Sequence, residues 1–162
     1  MSAELVRARI DEGPVAPLMW LVVALCFLLN LADGVDVVAM SVAAPSVASE
    51  WGLTRGALGP LFSAALVGMA IGAAGLAPLS DRLGRRLLLV SAMFLIGLSM
   101  LAVSLIADSK SIAVFAVLRF LSGLGIGIIF GSAPALVSEF MPGRLRSLAV
   151  SVVVWGYPVG AV

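Results

Sequence analysis

Leu29-Asn30-Leu31-Ala32-Asp33-Gly34-Val35-Asp36-Val37-Val38 sets two carboxylates inside a run that otherwise reads as a membrane span. A charged side chain near a bilayer centre costs roughly 2.5–3.5 kcal/mol on insertion scales, so such residues seldom persist there without a role. Asp33 and Asp36 are three residues apart and share one helical face. That face is where the chain is expected to do its chemistry.

Composition supports the membrane reading. Of 162 residues, 62% are hydrophobic and only 12% charged, against roughly 45–50% apolar and ~25% charged residues in a soluble domain. Histidine is absent and Cys26 is the one cysteine, which excludes an internal disulfide and a Cys/His zinc site. Met1 to Pro14 mixes Glu4, Arg7, Arg9, Asp11 and Glu12, unlike the basic start of a secretory signal.

Charges and turn residues divide the rest into expected helices at about 18–44, 56–80, 87–107, 111–139 and 146–162. A spanning helix needs ~20 residues, so the first four count as complete and the fifth as partial. Residues 1–16 form the N-terminal segment, and 17–162 form part of an all-α membrane bundle. The run that begins at Ser147 is still apolar at Val162, with no cap or basic flank, so the sequence reads as part of a longer protein.

Arginine placement sets the orientation. Arg7, Arg9, Arg82, Arg85, Arg86, Arg144 and Arg146 fall on one side, and Arg55 and Lys110 on the other. The N-terminus is therefore expected in the cytoplasm, with helices 1, 3 and 5 running outward. Trp51-Gly52-Leu53-Thr54 reads as an interfacial aromatic, a turn and an N-cap for helix 2.

Four constellations follow. At 1.5 Å per residue, Asp33 and Asp36 fall roughly 5–9 Å outside the helix-1 midpoint near Asn30, and Arg119 falls roughly 7 Å on the same side of helix 4. Pairing at that depth would relieve the desolvation of all three groups. Two readings stay open: an ion pair that locks two helices, or a cavity where a carboxylate exchanges a proton while Arg119 holds an anion. Asn30 joins Arg119 as a substrate-binding candidate. The second constellation is Ser80-Asp81-Arg82-Leu83-Gly84-Arg85-Arg86, a tight cytoplasmic reversal permitted by Gly84. In the third, Gly123, Gly127 and Gly131 recur every four residues and offer a flat face for close helix approach. Gly68 and Gly72, and Gly156 and Gly160, repeat the pattern on helices 2 and 5. The fourth, Glu139-Phe140-Met141-Pro142-Gly143-Arg144-Leu145-Arg146, ends helix 4 at Pro142 and brings Glu139 level with the arginines of the second.

Together these motifs resemble the major facilitator superfamily from about Pro17 onward. Asp81-Arg82-Leu83-Gly84-Arg85-Arg86 is similar to its loop signature between helices 2 and 3, and Glu139-x-x-Pro142-x-x-x-Arg146 to its motif after helix 4. The family usually carries glycine four residues before that aspartate. Ala77 stands there instead, which is expected to loosen the packing of helix 2. Asp33-Gly34-Val35-Asp36 is similar to the Asp-Gly-x-Asp signature of the aromatic acid:proton symporters within this family.

The resemblance implies a 12-helix symporter working by alternating access, a transporter and not an enzyme, with the proton as coupling ion and no other cofactor. By that analogy Asp33 and Asp36 couple protons and Arg119 positions the carboxylate. The gate comprises Asp81, Arg82, Gly84, Arg85, Arg86, Glu139 and Arg146. The implied partners are a small organic anion such as a hydroxybenzoate, the lipid bilayer and the C-terminal bundle of the same polypeptide, with no nucleic acid. A transporter of sugars, non-aromatic acids or drugs, and a membrane segment that does not transport, are the competing readings.

Overall fold

The computed structural model describes residues 16–52, 55–106 and 111–162, without the side chains of Arg55, Ala57, Asp81, Arg82 and Ile106. The expected N-cap at Thr54, the outer loop around Lys110 and the N-terminal arginines lie outside the described residues. Five long helices and no strand are found among the described residues: α1 (Pro17–Trp51), α2 (Gly59–Leu79), α3 (Arg85–Ile106), α4 (Ile112–Phe140) and α5 (Gly143–Gly160). The first four are long and apolar enough to cross a membrane. Helices suit that solvent because every backbone N–H and C=O is satisfied within the segment.

Helix ends follow local chemistry. Gly52 and Gly84 hold positive φ, 66° and 91°, a region that glycine occupies without steric cost. Gly84 thereby breaks the path between the helical turn Ser80–Leu83 and α3. Pro60 occupies the first turn of α2, where its missing N–H costs nothing. Pro142, with ψ 147°, separates α4 from α5.

Two helices differ from the sequence expectation. α1 continues through Pro45 to Trp51 instead of ending near residue 44, because prolines are tolerated inside helices of membrane proteins. α2 is not uniform: a π-helical turn covers Gly72–Leu76 and a 3₁₀ turn covers Ala77–Leu79. Pro78 is the physical reason. It has no N–H to give and its ring would meet the carbonyl four residues back, so the helix widens ahead of it.

By contact the chain divides into two compact units, one of residues through Val37 with Ala133–Val162, the other of Val38–Ser132. In the second unit, α2 and α4 meet backbone to backbone. A Cβ added at Gly68 would meet the Phe120 carbonyl, at Gly72 that of Leu124, at Gly123 that of Ala65 and at Gly127 that of Met69. Gly125 turns a different face of α4 to Ala92 and Ile96 of α3. Packing at Ala77 is close, not loose as the departure from the family's glycine suggested. The Ala77 side chain is buried, and its methyl group would lie 2.6 Å from a Cβ at Gly131, so the missing side chain on α4 makes room for it.

The outward surface is apolar. Phe94, Leu98, Leu101 and Leu105 line one exposed stripe of α3 at the spacing of a single helical face. Leu88, Leu89, Ala92 and Ser99 are buried. Two buried hydroxyls are returned to their own helix: Ser99 Oγ donates to the Leu95 carbonyl at 2.7 Å and Ser122 Oγ to that of Arg119 at 3.0 Å.

Candidate substrate and coupling site

In the first unit, α1 and α5 cross at glycines. A Cβ at Gly160 would meet the Leu31 carbonyl, and one at Gly34 would meet that of Tyr157. Gly156 sits over Phe27, with Asn30 Cβ 3.0 Å from where its own Cβ would be. Gly34 is thus needed for the approach of α5, which explains a glycine between two aspartates.

Asp33 is 6% exposed and its Oδ2 has no hydrogen-bond partner among the described residues. Burying a carboxylate oxygen without a donor is costly. Asp36, one turn on, is half-buried. Asn30 is 1% exposed and its Nδ2 donates to the Cys26 carbonyl at 2.9 Å. One amide donor of this substrate-binding candidate is therefore spent within its own helix. Gly156 and Gly160 form the opposing surface.

In the second unit, Arg119 of α4 is half-buried. Its guanidinium donates from Nη2 to Met40 Sδ at 3.1 Å and lies 5.8 Å from the centre of the Phe115 ring. Trp51 meets Phe115 edge to face, 5.8 Å between ring centres and 76° between planes. Met40, Phe115 and Leu61 are buried together, with Trp51, Leu58, Val103, Ile112 and Ala116 packed around them. The sequence singles out Arg119 but not Met40 or Phe115. Phe115 stands four residues before Arg119 and could have been found from that spacing. Met40 is 79 residues away and gives no signal.

The remaining motif residues lie at helix ends. Arg85 is half-buried and Arg86 exposed at the start of α3, after Gly84. The side chains of Asp81 and Arg82 lie outside the described residues. Glu139 is exposed on the last turn of α4, and Arg146 is half-buried on the first turn of α5.

This arrangement of apolar spanning helices, with intramembrane charges and small-residue crossings, describes a multi-pass membrane protein. The chain belongs to the Major Facilitator Superfamily, whose model matches residues 23–162. It is 46% identical to the 4-hydroxybenzoate transporter PcaK of Pseudomonas aeruginosa over 96% of this chain and 34% of the relative. It is 40% identical to the gallate transporter of Pseudomonas putida, over 96% of this chain and 34% of the relative. Identity to the 3-(3-hydroxy-phenyl)propionate transporter of Escherichia coli is 37%, over 88% and 35%. The chain spans about a third of the length of the curated relatives it matches. No solved structure matches it.

Proposed function

We propose that this chain is part of a proton-coupled secondary transporter of aromatic carboxylates of the hydroxybenzoate class, working by alternating access in a bacterial inner membrane with its N-terminus in the cytoplasm. The observation that carries this reading is the buried Asp33 carboxylate in an apolar span of a chain similar, over nearly all its length, to transporters of aromatic acids. Asp33 and Asp36 take and release the coupling proton. Arg119 receives the substrate carboxylate, for which a planar guanidinium offers two parallel donors. Asn30 is the second substrate-binding residue. Asp81, Arg82, Gly84, Arg85 and Arg86, with Glu139 and Arg146, gate the cytoplasmic side. The other partners are the bilayer and a C-terminal bundle of the same polypeptide.

Uptake of labelled 4-hydroxybenzoate by cells producing the complete transporter tests the substrate class. Unlabelled hydroxybenzoates should compete, whereas phenol, which lacks the carboxylate, and glucose should not. Competition by glucose, or equal competition by phenol, would contradict the reading. Orientation is tested separately in a Cys26→Ala background. An impermeant thiol reagent outside intact cells should label Arg55→Cys and leave Arg85→Cys untouched, and the reverse pattern would invert the topology.

A further inference from the structure

We propose that Met40 and Phe115 are positioning residues for Arg119, which together hold its guanidinium in the orientation that receives the substrate carboxylate. This rests on the substrate-binding role given to Arg119 above. Phe115 lies one turn before Arg119 on α4, so its ring and the guanidinium share a helical face, 5.8 Å apart. Met40 of α1 supplies the second hold, its Sδ accepting from Nη2 at 3.1 Å.

Both holders are themselves fixed. Met40 and Phe115 are buried, Leu61, packed with them, is fully enclosed, and the Trp51 ring edge braces Phe115. The space left beside Trp51, Phe115 and Leu118 is about 10 Å³, barely enough for one water. The ring is packed closely on these sides, and the guanidinium lies over its face.

The chemistry of the two holders matters as much as their place. A thioether is a weak acceptor and an aromatic face carries no formal charge. A carboxylate forms stronger, charge-assisted hydrogen bonds to a guanidinium than a thioether does. Arginine is a long side chain with many rotamers, and ordering it before the substrate arrives removes that cost from binding. The cradle therefore acts on affinity, and the rate of the loaded transporter should be largely independent of it.

The test is the KM and maximal rate of labelled 4-hydroxybenzoate uptake by the complete transporter, scaled to the amount of protein in the membrane. Met40→Leu keeps the volume and removes the sulfur, and should raise KM about threefold. Phe115→Leu removes the ring face and should raise KM roughly five- to tenfold. Maximal rates should stay within about twofold, and Phe115→Tyr, which restores a ring face, should return KM towards its original value. Arg119→Lys provides the reference. If it leaves KM unchanged, the role of Arg119 itself fails. If it raises KM while Met40→Leu and Phe115→Leu do not, the positioning role alone is overturned. Should Phe115→Leu fail to reach the membrane, the KM of Met40→Leu decides.

Discussion

Gly127→Val in the complete transporter should leave little assembled protein in the membrane. A Cβ at Gly127 would meet the Met69 carbonyl, with the Ala73 nitrogen at 2.7 Å. These are backbone atoms of α2 and cannot rotate away. The contact is also reciprocal: Gly68 and Gly72 of α2 meet the Phe120 and Leu124 carbonyls of α4, and Gly123 meets that of Ala65. Forcing one side chain into the seam separates a whole row, at a cost of about 1–3 kcal/mol. Lipid offers no hydrophobic drive to restore the contact, since helices in membranes associate through close packing. Gly97 is the control, because nothing lies within 4 Å of its added Cβ. Gly97→Val should behave as the parent on size-exclusion and thermal melting in detergent. Equal behaviour of the two variants would show that the α2–α4 crossing does not hold the bundle together.

Asp33→Asn should abolish proton-driven accumulation, while exchange of substrate across the membrane survives. The carboxylate is buried in an apolar span, and its Oδ2 lacks a hydrogen-bond partner among the described residues, a costly place for a carboxylate without a role. In the proposed coupling role this group takes up and gives up a proton as its access to water changes. Asparagine is nearly the same size but fixed as neutral. The variant can still close around a carboxylate, but it carries no proton with it. Asp36→Asn should show the same loss if the proton is shared along the turn.

Much of the fold and of the candidate site is legible in the amino-acid sequence, for specific reasons. Arg82, Arg85 and Arg86 interrupt apolar runs, so the boundary between α2 and α3 can be read from charge alone. Asp33, Asp36 and Arg119 stand out because charge is expensive where they lie. Gly123, Gly127 and Gly131 give a face for close approach by spacing. Other features depend on contacts that a linear pattern does not carry. The continuation of α1 past Pro45 cannot be told from a helix end, since a proline in an apolar run permits both. The π turn at Gly72–Leu76 follows from Pro78, but an apolar run around a proline does not reveal whether the helix kinks, widens or stops. Gly34 reads as part of a signature with two aspartates, yet its position against Tyr157 and Gly160 shows that the approach of α5 requires it. The Met40 thioether beside Arg119 joins residues 79 apart, and no local signal marks it.

Accumulation measured against exchange, side by side, tests the central claim most directly. The complete transporter, in proteoliposomes with an alkaline interior, would be given labelled 4-hydroxybenzoate, alone for accumulation and against preloaded substrate for exchange. One pH unit is worth about 1.4 kcal/mol, so one proton per carboxylate should support about tenfold accumulation in the parent. Asp33→Asn should show none, and its exchange should continue. Gradient-driven accumulation in both Asp33→Asn and Asp36→Asn at the level of the parent would contradict proton coupling through this turn of α1.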